Sequence, residues 1–196
     1  MLSWALSRHR AGIPVSEYVA AYVDASRFEQ LCRTCPSYGS TWGCPPHQTN
    51  PLAIWAAYRW LHVLAIQLHF AAADRAREWP TAGLRRELGA ARDREKAIAT
   101  GELAALVRQL GDGSRLLHAG GACTGCPTCT RPAARPCPTP QRIQYSIESL
   151  GGDVGRTVSQ LLGIELAWAD AHHLPATTSV VFGILSDRAE LPDQLK

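Results

Sequence analysis

Leu61-His62-Val63-Leu64-Ala65-Ile66-Gln67-Leu68-His69-Phe70 is the stretch on which the fold turns. Its apolar residues alternate only weakly and fall on both faces of an extended chain, because successive side chains of a strand point to opposite sides. A strand apolar on both faces belongs in the interior of a sheet that is covered on both sides. His62 and His69 then point to opposite faces and read as packed or edge histidines in preference to ligands. Trp55 and Trp60, just before the strand, read as core anchors.

Upstream, a helix is expected after Pro14, with Ser16 as its N-cap and Tyr18, Val19, Tyr22, Val23 and Phe28 at roughly helical spacing. Downstream, Leu84 to Leu110 is helical, with Leu84, Leu88 and Ala91 on one face and Leu103, Leu106, Val107 and Leu110 on another. Gly101 is a point where it divides in two, and Gly111 and Gly113 stop it. The mixed charges from Arg85 to Lys96 describe a solvated helix face. A short strand is expected over Arg115 to Ala119, a helical turn before Gly151-Gly152, a helix over Val154 to Leu162 closed by Gly163, and a final buried strand over Thr177 to Leu185. Asp187 to Lys196 reads as a polar tail. Strands alternating with helices give an α+β or α/β fold, a single small mixed sheet flanked by helices, within one domain over 1–196.

Two turn-rich loops carry all seven cysteines. The second, Gly120-Gly121-Ala122-Cys123-Thr124-Gly125-Cys126-Pro127-Thr128-Cys129 followed by Arg135-Pro136-Cys137-Pro138, reads C-x2-C-x2-C-x7-C-P. Gly and Pro around closely spaced thiols describe a loop whose sulfurs can converge on one point, and that is a metal site. The run resembles that of bacterial ferredoxins in chemistry, while its longer last spacer makes no case for a ferredoxin fold. A tight triplet suits the face of a 4Fe-4S cluster better than a single tetrahedral ion, so iron–sulfur is preferred and zinc is the alternative. The first loop, Cys32-x2-Cys35-x8-Cys44-Pro45-Pro46, supplies three thiolates where four are usual. His47 either completes a zinc site at C-x2-C-x8-C-x2-H spacing or is a solvated loop residue.

At 196 residues, 46% hydrophobic and 19% charged, the chain is globular and not disordered. A net charge of +3, dispersed among acids, argues against nucleic acid or an anionic membrane as partner. Trp60 to Ala73 contains two histidines and a glutamine and cannot be a membrane span. Met1 to Arg10 shows no secretory signal, so a cytoplasmic location is expected. In that reducing setting, an odd number of clustered cysteines reads as metal ligands before disulfides. No Walker loop, dinucleotide fingerprint or nucleophile elbow is present.

The chain resembles domain-of-unknown-function family 2284, predicted metal-binding proteins. The resemblance rests on Cys32-x2-Cys35-Pro36-x-Tyr38-Gly39-x2-Trp42-x-Cys44-Pro45-Pro46, on Gly120-Gly121-x-Cys123-x2-Cys126-x2-Cys129, and on Pro136-Cys137 leading to Ser146-x-Glu148 and Asp153-Val154. It covers nearly the whole chain and implies metal or iron–sulfur binding without a defined reaction. The family usually reads S-M-E-A-x-G-I-D-V after the last cysteine; Ile147, Ser149 and Gly152 depart from it here.

Seven thiolates cannot complete two fully cysteine-ligated four-iron clusters. Cys137 either crosses to Cys32, Cys35 and Cys44 or stays with Cys123, Cys126 and Cys129, and one cluster shared by both loops is a third arrangement. The two loops are expected together at one end of the sheet. Three functions follow: a redox or cluster-handling protein with an acceptor protein partner; an enzyme whose incompletely ligated iron acts as a Lewis acid, with Glu148 or Asp153 as acid or base; or a zinc-stabilised interaction module. Glu148 and Asp153 otherwise cap backbone amides. Tyr38 and Trp42 are expected to cover a cluster from water.

Overall fold

The structure, a computed structural model, describes residues 2–111 and 113–192. It is a mixed α/β fold built on one five-stranded sheet. The strands are β1 (Trp4–Pro14), β2 (Trp60–Phe70), β3 (Ser114–His118), β4 (Tyr145–Ser146) and β5 (Thr177–Ser186). Their spatial order is β1-β2-β5-β3-β4; all neighbours are antiparallel except the β3–β4 pair. Among the described residues, six helices flank the sheet: α1 (Val15–Tyr22), α2 (Ala25–Arg33), α3 (Pro51–Ala56), α4 (Ala72–Ala76), α5 (Thr81–Leu110) and α6 (Val154–Leu162).

β2 is an interior strand, paired along its length with β1 on one side and β5 on the other. One sheet face, carrying Leu61, Val63, Leu117 and Leu185, packs against α1, α3 and α6 through Tyr18, Trp55 and Val158. The opposite face, carrying Leu64, Ile66, Phe182 and Ile184, packs against Ala99, Leu103 and Leu106 of α5. Gly183 sits where the first face is tightest: a Cβ there would stand 3.0 Å from Leu61 Cδ1 and 3.4 Å from Leu117 Cβ. His62 is buried with its Nε2 2.9 Å from the Arg188 carbonyl, and His69 is exposed beside Ser7.

Several expectations are corrected. β1 gives little apolar alternation of its own; it forms because the free edge of β2 offers it continuous pairing, from Trp4 opposite Phe70 to Pro14 opposite Trp60. Its Arg8, His9 and Arg10 then decorate a sheet edge, which discourages further pairing. The expected first helix is two. The Asp24 carboxylate accepts the Arg27 N–H at 2.9 Å and starts α2 afresh, and Ser16 lies inside α1 instead of capping it. Conversely, α5 is one helix: Gly101 costs about 1 kcal/mol relative to Ala, but Ala99, Leu103 and Leu106 bury on either side of it and hold the turn. Of the expected polar tail, residues 193–196 lie outside the described residues. No helix among the described residues is long and apolar enough to cross a membrane.

Candidate metal centre

Cys32 lies in the last turn of α2, and the chain then descends through tight turns: Cys35 N–H donates to Cys32 O at 2.9 Å, Tyr38 N–H to Cys35 O at 3.0 Å, and Cys44 N–H to Thr41 O at 3.1 Å. Gly39 takes φ +70°, a left-handed turn that glycine adopts without strain, and its N–H donates to Pro45 O at 2.8 Å, closing the loop on itself. The second loop leaves β3 at Gly120, runs past Cys123, Cys126 and Cys129 to a short 3-10 turn at Arg131–Ala133, and returns by Cys137 to β4.

The two loops interlock. Arg131 of the second loop reaches into the first, donating to Thr41 O at 2.7 Å, to Pro46 O at 2.7 Å and to Cys44 O, with its guanidinium 5.2 Å from the Trp42 ring centre. Trp42 answers by donating its indole N–H to Thr130 Oγ1 and Arg135 O, both at 3.2 Å. Cys123 N–H donates to Thr41 Oγ1 at 3.3 Å. This closeness requires Gly43: a Cβ there would run into the Gln144 carbonyl and stand 3.0 Å from Cys123 Cβ.

All seven cysteines are free thiols; Cys44 is buried, Cys35 exposed, and the other five half-buried. Three sulfurs accept hydrogen bonds: Cys35 from Ser37 N–H, Cys44 from Thr41 O–H and Cys123 from Gln144 N–H, each at 3.4 Å. Such donors stabilise negative charge on sulfur. Burial, reinforced by the charges of Cys35, Glu148, Glu29 and Cys44, pushes the Cys32 thiol up to about 11. Burial raises the pKa of the Tyr145 hydroxyl against the opposing charge of Arg115. Among the described residues, no three Cys, His, Asp or Glu side chains stand close enough to hold an ion as placed. The donor set fits a thiolate-bound metal in its chemistry, and drawing the thiolates onto a common centre is part of binding.

His47 sits between the loops and the sheet. Its Nε2 lies 2.8 Å from Ser149 O, and a carbonyl only accepts, so Nε2 carries the proton and Nδ1 the lone pair. That Nδ1 is buried without a partner. Burial also lowers the pKa of the ring and keeps it neutral. Tyr38 donates its hydroxyl to Glu29 Oε1 at 2.8 Å and so ties the loop to α2.

Glu148 and Asp153 are fixed by backbone amides. Both Glu148 oxygens lie 3.1 Å from Gly120 N–H, and Asp153 caps α6 by accepting Arg156 N–H at 3.0 Å. The Gly120 peptide is held from its other end too: its carbonyl accepts from Lys96 Nζ at 2.9 Å and from His118 Nδ1 at 2.7 Å. Burial raises the Glu148 pKa, and burial with the nearby Lys96 charge pushes His118 down to about 4. Glu148 opens on one side into a cleft of about 510 Å³ that Phe28, Lys96, Asp153, Leu166 and Trp168 also line.

The departures from the family pattern explain one another. A side chain at Gly152 would put its Cβ 2.5 Å from Ile147 Cγ2 and 2.9 Å from Tyr18 Oη, so the branched Ile147 fills the space that the usual Ile would occupy. Ser149 replaces Ala and returns its hydroxyl to Ser146 O at 2.8 Å. The residues that sequence reasoning missed are Arg131, Lys96, His118 and Gly43. Each acts on a partner distant in sequence and has no local signature.

A family model described as "Predicted metal-binding protein (DUF2284)" matches residues 18–185. No curated protein and no solved structure matches the chain.

Proposed function

The chain belongs to the DUF2284 family of predicted metal-binding proteins, and from that membership we propose that its cysteine loops hold an iron–sulfur cluster, 4Fe-4S by ligand type, in a redox or cluster-handling role. The observation that carries this reading is the interlocking of the two loops through Arg131 and Trp42, with unpaired thiols that accept N–H and O–H bonds from Ser37, Thr41 and Gln144. Cys32, Cys35 and Cys44 would hold one group. Cys123, Cys126 and Cys129 would hold the other, with Cys137 of the same loop beside them. A bound cluster supplies one-electron transfer. The chain's own residues do the rest: Trp42 shields the joint between the loops, Arg131 fixes it, and exposed Cys35 marks where an acceptor protein approaches.

A specific observation favours a second reading for the first loop. His47 presents a buried neutral Nδ1 with no partner while its other nitrogen donates to a backbone carbonyl, the arrangement in which metal-ligating histidines are held. His47 would then stand as the eighth ligand, and with Cys32, Cys35 and Cys44 it would also suit zinc in a structural module.

Anaerobic purification with iron available, followed by iron, sulfide and zinc analysis, tests the assignment. The expected protein is brown, with a broad sulfur-to-iron absorption and acid-labile sulfide. Stoichiometric zinc without sulfide overturns it in favour of the zinc reading. Cys126→Ser should lower metal content sharply, and His47→Ala should do so only if His47 is a ligand.

A further inference from the structure

We propose that the cleft between α2, α5, α6 and β5 is a binding site for a small organic carboxylate with an apolar body. Its volume of about 510 Å³ lies within the range of small-molecule pockets, roughly 300–1,000 Å³. The site stands on the cleft itself and is independent of which metal the loops hold.

The charge assignment follows from which groups are already satisfied. Three carboxylates line the cleft, and each has partners: Glu148 takes Gly120 N–H, Asp153 takes Arg156 N–H and the Arg27 guanidinium at 3.3 Å, and Glu165 takes the Ser159 hydroxyl at 2.6 Å. Of the two cations, Arg92 is the less committed. Among the described residues, Lys96 Nζ donates to the neutral carbonyls of Ala119 and Gly120, and its charge also faces Glu148. Arg92, one turn earlier on the same face of α5, has no hydrogen-bond or ion-pair partner among the described residues. The Arg92 guanidinium therefore remains for a ligand, and its planar fork matches the two oxygens of a carboxylate.

The rest of the lining selects against a bare inorganic anion. Phe28, Leu166, Val180 and Trp168 supply apolar wall, and Trp168 is 76% exposed, an unusual place for an indole with nothing to cover. The cleft also lies next to the first cysteine loop, because Cys32 follows Phe28 by one turn of α2. A carboxylate seated on Arg92 and Lys96 would therefore lie beside that loop.

Calorimetric titration with 3-phenylpropionate and hexanoate tests the site, on protein whose metal content has been assayed beforehand, so that cluster loss and failure to bind are read separately. The controls are 3-phenylpropan-1-ol and 3-phenylpropylamine. Both carboxylates should bind saturably, with the alcohol and the amine at least about tenfold weaker. Arg92→Gln, at an exposed position that leaves the fold intact, should weaken the carboxylates by about tenfold. Arg108→Gln, farther along α5 and outside the cleft, should change nothing. Tryptophan fluorescence should respond to the carboxylates in the parent and lose that response in Trp168→Phe. No saturable heat up to about 10 mM carboxylate, equal affinity for the alcohol or the amine, or full affinity in Arg92→Gln would each overturn the proposal.

Discussion

The centre of the sheet and the pair of cysteine loops are held by different forces. Around β2 and β5, Leu61, Val63, Phe182, Ile184 and Leu185 are buried on both faces, so close packing and water exclusion do the work. The loops have almost no apolar interior. Apart from the buried stretch around Thr41 to Pro45, they are exposed or half-exposed, and their order comes from side chains that donate to backbone carbonyls across a sequence gap of some ninety residues. Burial is additive and tolerant, whereas a joint made of a few hydrogen bonds depends on each donor. The pair of cysteine loops should therefore open locally while the sheet stays intact.

The largest test removes the sheet's own support. Phe182→Ala deletes a ring that is 1% exposed between β2 and α5 and should cost about 3–5 kcal/mol in urea unfolding. If the loops depend on the sheet, their metal should leave in the same transition; metal retained beyond the sheet's melting would break the comparison.

Next in size is acid. The folded His118 titrates near 4 and the unfolded one near 6.5, so between those values the unfolded chain binds the extra proton, and stability falls as pH drops through that window. The loss should reach about 2 kcal/mol by pH 5. Glu148 works in the opposite sense: its raised folded pKa returns some stability as pH falls toward its unfolded value of 4.5. His118→Gln cannot titrate, so its urea midpoint should hold or rise between pH 7 and pH 5 while the parent's falls. Parallel pH profiles would remove His118 from the account.

Arg131→Gln addresses the joint directly. Losing charge-assisted bonds to three carbonyls should cost about 1–2 kcal/mol locally, read as roughly tenfold faster amide exchange over residues 41–46. The β2 and β5 amides should not change. A uniform change across the chain would mean that loops and sheet form one cooperative unit. The smallest effect is Asp153→Ala, which removes the α6 cap and should cost about 1 kcal/mol without altering metal content.

Sequence alone settled what depends on neighbouring residues. β2 and β5 were legible because two-sided apolar runs of strand length require a covered sheet, and α6 because Gly163, at φ +66°, ends it where the periodicity stops. The two cysteine loops were legible as turn-rich loops through their Gly- and Pro-bounded spacing. Residues that act at a distance stayed hidden. β1 owes its extended form to the edge of β2, the division of α1 from α2 owes as much to Gly151 O, which receives Asp24 N–H at 2.8 Å, as to Asp24 itself, and Gly43 shows its purpose only once Gln144 lies against it. Arg131, Lys96 and His118 looked like ordinary charged or polar residues because a hydrogen bond to a carbonyl far along the chain leaves no periodic trace. Local stereochemistry and the spacing of like residues are written in the order of the chain. Which loop meets which, and which cations are left unspent in a cleft, is decided only when burial has folded that order back on itself.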